Sequence, residues 1–147
     1  MSDAAGNAAT QHTSPVFAVD TTGTTSDAAS ADWGSVLNST EDNSDGTVSV
    51  TTSGAEDGQT VTVGLNGQSY TGTVASGSAS ITIATSGLQA LTDGTSYPLS
   101  VDVSDAAGNA ATQHTSTVFA VDNSATTVVA VSVDWGSGLR ANEDTME

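Results

Sequence analysis

Between residues 47 and 103, apolar and hydroxyl-bearing residues alternate in short runs. Thr47–Thr52 places Val48 and Val50 on one face, and Thr60–Leu65 does the same with Val61, Val63 and Leu65. A period of two is the mark of a strand with one buried face. GAEDG (54–58) separates these runs as a turn. Asn66-Gly67 follows Leu65 directly and predicts a type I′ hairpin, which returns the chain through Ser69–Val74 with Tyr70 as an aromatic anchor. Residues 78–83 alternate through Ile81 and Ile83. SGLQAL (86–91) predicts one helical turn, closed by Thr92-Asp93-Gly94. SYPLSVDV (96–103) aligns Tyr97, Leu99, Val101 and Val103, with Pro98 on the other face marking a sheet edge or a strand start. A weak first strand is expected over ASADW (29–33), then a loop, STEDNSDG (39–46). The last strand is expected from about Ala110 to Val121.

Seven strands in roughly 100 residues, with turn signals every 8–12, predict an all-β fold. The expected form is a seven-stranded antiparallel β-sandwich of immunoglobulin type. The chain also repeats itself. Residues 2–20 and 104–122 differ at one position in nineteen, Pro15 against Thr117. At the same offset, 24–42 align without a gap to 126–144, keeping Asp-Trp-Gly-Ser (Asp32–Ser35, Asp134–Ser137) and Glu-Asp (Glu41 and Asp42, Glu143 and Asp144). A period near 100 residues exceeds a solenoid unit and matches a whole domain. The division expected is therefore the tail of an upstream repeat (1–20), one complete repeat (21–123) and the head of a downstream repeat (124–147).

Charge narrows the function. Residues 21–122 contain nine Asp, two Glu and no Lys or Arg, and the formal net charge of the whole chain is −16. Arg140 is the only Lys or Arg, which excludes nucleic-acid binding by phosphate neutralisation and disfavours an anionic membrane surface. Uncompensated charge opposes folding by self-repulsion, so cations are wanted. Cysteine is absent, so no disulfide or thiol chemistry is possible; an extracellular domain without disulfides needs another staple, for which metal is the usual choice. No run is apolar for the ~18 residues of a membrane span.

VDVSDAAGNAATQ, LQALTDGTSYPLSVDVSDAAGN and the DWGSVLNSTED segment together resemble the bacterial immunoglobulin-like repeats of giant surface adhesins. Those are long, type I-secreted, calcium-dependent proteins of Gram-negative bacteria, of the RTX, biofilm and ice-binding kinds. The resemblance covers the whole repeat and the fragments of its neighbours. It implies an extracellular structural extender, stiffened by Ca2+ and repeated many times to carry a ligand-binding region away from the cell. Its partners would be neighbouring identical repeats in the same chain. The glycine- and aspartate-rich nonapeptide of the calcium-binding β-roll is absent here.

Strand parity predicts where calcium would sit. Seven up-and-down strands bring the chain in at one pole and out at the other, so the loops alternate between them. The entry group is Asp20, Glu56, Asp57, Asp105 and Asn109. The exit group is Glu41, Asp42, Asn43, Asp45, Asp93 and Asp122, with Asn66-Gly67 at the same pole. These residues offer oxygen ligands suited to calcium and no nitrogen or sulfur donors that would favour zinc. Glu41-x-Asn43-x-Asp45-Gly46 imitates the first half of a calcium loop, although Thr52 stands where the closing Glu belongs. Asp105, Gly108, Asn109, Asp93 and Gly94 are equally ordinary turn residues. Asp102, in mid-strand, is expected to face solvent.

His12 and His114 are copies of one position, expected on the solvent side of a strand. Trp33 and Trp135 are also one position, expected to pack near a domain junction. Asn38-Ser39-Thr40 matches a glycosylation sequon, a frequent chance pattern. No Ser/His/Asp set or isolated carboxylate pair points to an enzyme. The competing reading is an adhesive module that recognises glycan, ice or a host protein directly, but near-identical repeats favour a spacer. Residues 128–135 could also compete with the Ala-rich 28–33 for one sheet position, which makes strand-swapped self-association of this chain possible.

Overall fold

The computed structural model describes residues 2–136 and 138. Ten short strands carry the fold: β1 (Thr25–Ala31), β2 (Val36–Asn38), β3 (Gly46–Ser53), β4 (Thr60–Leu65), β5 (Gln68–Thr73), β6 (Ser78–Ile83), β7 (Ser96–Tyr97), β8 (Ser100–Val103), β9 (His114–Thr115) and β10 (Phe119–Asp122). A 3-10 turn at Glu41–Asn43 and one short helix, α1 (Thr85–Gln89), complete the elements.

One sheet has the order β1-β3-β6 and faces a second with the order β5-β4-β8-β9; β2-β10-β7 forms a third, three-stranded sheet. The alternation read from the sequence sets which side chains meet. Val48 lies between Ala31 and Ile81, and Val50 between Ala29 and Ala79. In the facing sheet, Val63 lies between Tyr70 and Val101. These residues interdigitate as one core, continued by Trp33, Leu37, Leu88, Leu91, Phe119 and Val121. At Asn66-Gly67 both residues have positive φ, 51° and 76°, as a type I′ turn requires. Gly46 is needed for a different reason: a Cβ there would collide with the Trp33 ring.

The ten strands are seven passes of the chain, three of them broken. In the first pass, β1 pairs antiparallel with β3, turns through Asp32–Ser35, and continues as β2 parallel to β10. That crossing carries the chain from one sheet to another. Nothing in Val36-Leu37-Asn38 alternates, so no strand is expected there; burial of Leu37 against Val121 decides it. β1 itself starts four residues earlier than expected, with a bulge at Asp27 whose carboxylate accepts the Thr25 and Ser53 hydroxyls.

The other two breaks face each other. Pro98, with no N–H to give a ladder, separates β7, which pairs with β10, from β8, which pairs with β4. Opposite it, β9 and β10 part at Ser116–Val118, where the Leu99 N–H donates to the Ser116 hydroxyl at 3.0 Å. Each broken pass keeps its direction, so the alternation of poles survives.

His114 departs from its expected solvent-facing place. It pairs with Val101 on an edge strand and is half-buried, because its Cβ follows the inward side of the pleat. Asp102 does face solvent, accepting the Gln113 side-chain amide at 2.9 Å. Outside β1–β10 the described residues form no strand, only isolated bridges, Ser2–Ala8 and Ser104–Ala110 among them. Arg140, Glu143 and Asp144 lie outside the described residues.

Candidate metal sites at the two poles

At the entry pole, four loops are tied together by acids and one amide. The Ala106 N–H donates to Glu56 Oε2 at 2.8 Å, and the Ser76 N–H to Asp57 Oδ1 at 2.8 Å. Asn109 Nδ2 reaches the backbone carbonyl of Asp20 at 3.2 Å. The five residues assigned to this pole from strand parity are thus neighbours in space. Asp105 is almost wholly buried, and both its oxygens are engaged by Asn109, Oδ1 by the backbone N–H and Oδ2 by Nδ2, each at 2.8 Å. The Asn109 side-chain amide is the main influence holding the Asp105 carboxyl below the ordinary carboxylate range, helped by the loop's N–H groups against the opposing effect of burial.

At the exit pole the expected ligands divide. Glu41 turns back to accept the Asn38 N–H at 3.1 Å. Asn43 spans from the Ser39 carbonyl to the Gln89 side chain. Asp45 accepts both the hydroxyl and the N–H of Thr85, at 2.7 and 2.8 Å. Those two bonds, the hydroxyl first, hold its carboxyl below the ordinary range. The alternating oxygens that imitate a calcium loop are therefore dispersed among four partner residues, because Glu41–Asn43 winds into a 3-10 turn instead of an extended loop. A cavity of about 140 Å3 remains among Asp32, Trp33, Glu41, Ser44, Asp45 and Gly46.

Asp42, Asp93 and Asp122 gather instead around the chain just beyond β10. Asp42, 8% exposed, accepts Asn123 Nδ2 at 2.9 Å. Asp93 accepts the Asn123 N–H at 2.8 Å and the Ser124 hydroxyl at 3.2 Å, and Asp122 accepts the Ser124 N–H at 3.1 Å. Asn123 Oδ1 is buried and has no hydrogen-bond partner. A buried oxygen without a donor is costly, and a cation beside carboxylates would satisfy it. Asn123 was not among the candidates read from the sequence.

The donor set is wholly oxygen, which suits a hard cation such as calcium. Among the described residues, no three carboxylates or histidines converge closely enough to chelate an ion by themselves.

No family model matches the chain, and no curated protein matches it. Solved structures do. A bacterial immunoglobulin-like domain from the M. primoryensis ice-binding adhesin is 34% identical, over 67% of this chain and 99% of that domain, with a TM-score of 0.48. Identity at that level runs the length of that domain. This chain belongs to the bacterial immunoglobulin-like domains of adhesins. A second structure, of a Ca2+-stabilized adhesin that helps an Antarctic bacterium reach out and bind ice, is 36% identical over 85% of this chain, with a TM-score of 0.52. A third, from a study of the host cell surface retention of a 1.5-MDa bacterial ice-binding adhesin, is 32% identical over 84%, with a TM-score of 0.49. The immunoglobulin-like chain spans 31% and 40% of the last two.

Proposed function

We propose that this immunoglobulin-like domain is a non-enzymatic extender repeat of an extracellular bacterial adhesin, stiffened by calcium at its acidic poles. In this reading 21–123 is one complete repeat, and 1–20 and 124–147 belong to its neighbours. The observation that carries it is the linker at the exit pole. Asp42 and Asp93 both bind Asn123, whose side-chain oxygen is buried without a donor. A calcium ion there would draw on Asp42, Asp93, Asp122 and Asn123. It would neutralise repulsion among the carboxylates and hold the linker at a set angle to the sandwich. At the entry pole, Glu56, Asp57, Asp105, Asn109 and the Asp20 carbonyl would receive the linker from the preceding repeat.

The outer faces of the sandwich support a spacer over a module that binds glycan, ice or a host protein. Their exposed strand positions are largely hydroxyl-bearing, with Ser49, Thr51 and Ser53 on β3, Ser78, Ser80 and Thr82 on β6, and Thr71 and Thr73 on β5. The aromatic residues of the sandwich, Trp33, Tyr70, Tyr97 and Phe119, are buried or half-buried, leaving no stacking platform for a sugar.

Thermal unfolding in millimolar calcium, and in chelator with magnesium, tests the proposal. A midpoint at least ~10 °C higher with calcium alone is expected, since saturation at about 100-fold above Kd adds about 2.7 kcal/mol for each site. Equal midpoints would remove the calcium-stiffened extender and leave an acidic sandwich that folds unaided.

A further inference from the structure

We infer that residues 128–133 take the place of β1 in a second copy of this chain, forming a strand-exchanged dimer. β1 turns Ser26, Ala29 and Ala31 toward the interior, where each is only half-buried. Their copies, at the constant offset, are Val128, Val131 and Val133. All three inward positions are therefore valine in the downstream segment and small in the strand that occupies the sheet.

Two features of the sandwich mark β1 as underfilled. A groove of about 250 Å3 opens along its edge, lined by Ala29, Ala31, Leu99, Thr117, Val118 and Phe119 among others. The Ser26 hydroxyl is buried with no hydrogen-bond partner. In the register of β1, Val131 would stand opposite Val50 and Val133 opposite Val48, extending methyl groups toward the groove. Val128 would replace the unpaired hydroxyl. In the present arrangement these valines are on the surface, 83% exposed at Val128, 84% at Val131 and 45% at Val133. Exchange buries them in a gap of matching chemistry, and the main-chain ladder to β3 is unchanged in kind. The upstream segment lacks this advantage: Val16–Asp20 repeats Val118–Asp122 residue for residue, so replacing β10 gains nothing.

The donor must be a second copy. Asp122 ends β10 at the exit pole, whereas the β1 position begins at the entry pole. Six residues from Asp122 to Val128 reach at most about 20 Å. The eight residues of β3 alone cover about 25 Å at ~3.3 Å per residue, before the chain crosses the width of the sandwich.

The whole chain, refolded from denaturant at high concentration in chelator, should sediment partly as dimer. Working in chelator separates this inference from the calcium reading. V128S/V131A/V133A should abolish the dimer without lowering the monomer's unfolding midpoint. S26V/A29V/A31V, which gives β1 the same valines, should also yield monomer and raise the midpoint. With no native cysteine, oxidised S49C/S132C should cross-link between chains, because Ser132 would stand where Ser30 pairs with Ser49. A monomer at every concentration, or a dimer that survives V128S/V131A/V133A, overturns the proposal.

Discussion

Residues 2–20 and 104–122 share eighteen of nineteen residues, and they divide into a part that behaves alike and a part that does not. The Asp-x-x-Gly-Asn loop forms in both. Asn7 donates to Asp3 through its N–H and its side chain, as Asn109 does to Asp105. Gly6 and Gly108 both have positive φ, 84° and 93°, and the bridge Ser2–Ala8 matches Ser104–Ala110. The rest diverges. Phe119 is 3% exposed and meets Trp33 edge-on at 5.3 Å, whereas Phe17 is 85% exposed. A loop closed by its own side chains needs only its own residues; a strand needs a sheet to join.

The largest effect that would break this comparison is truncation of the phenylalanines. Phe119→Ala should cost about 3–5 kcal/mol, read by denaturant unfolding, and Phe17→Ala should change nothing measurable in the same experiment. Equal losses would mean that 2–20 packs into a core of its own.

Next in size is the loop acid. Asp105→Ala removes a buried acceptor and leaves the Asn109 donors unpaired, which should cost about 1–3 kcal/mol. Asp3→Ala should be neutral for the unfolding midpoint, even though both carboxyls titrate low, each held chiefly by the side-chain amide of its Asn. The same linkage sets the acid limit. Asp27, Asp45 and Asp105 all have folded pKa values below the usual one, Asp27 mainly through the Ser53 hydroxyl. Their stabilisation is complete above the unfolded value near ~3.9 and is lost as pH falls through the folded values. The unfolding midpoint should therefore decline below about pH 4 in chelator, and the decline should be shallower in Asp105→Asn and unaltered in Asp3→Asn.

The smallest expected effect concerns the single difference between the copies. Thr117 lies in the break between β9 and β10, and Thr117→Pro makes the two segments identical. It should shift stability by no more than about 1 kcal/mol, measured by the unfolding midpoint. A large loss would show that the break is held by the Thr117 backbone and is not a tolerant gap.

Sequence reading recovered the middle of the fold, from β3 through β6, nearly residue by residue. There alternation is strict, and Asn66-Gly67 dictates its own turn. It also put the loops of Asp20, Glu56, Asp57, Asp105 and Asn109 at one pole, where they are neighbours, since parity depends only on the number of passes and not on how each pass is broken. It missed β2, where three residues are too few to show a period. It also missed the dispersal of Glu41, Asn43 and Asp45, whose spacing looks like a ligand ladder only while the chain is imagined extended. Asn123 gave no signal, because its importance lies in partners 81 and 30 residues away, at Asp42 and Asp93.

What the sequence by itself determined is whatever is settled within a few residues: the hairpin turn, the self-closing Asp-x-x-Gly-Asn loops and the inward and outward faces of each strand, together with a large excess of acidic over basic residues. Tertiary structure alone decided which of two near-identical segments becomes a strand, where the first pass changes sheets, and which acids surround the chain just beyond β10. The reason is the range of the forces. Turn and loop hydrogen bonds close over two to five residues, while burial of Phe119, Leu37 or Asp42 exists only once distant strands have assembled around it.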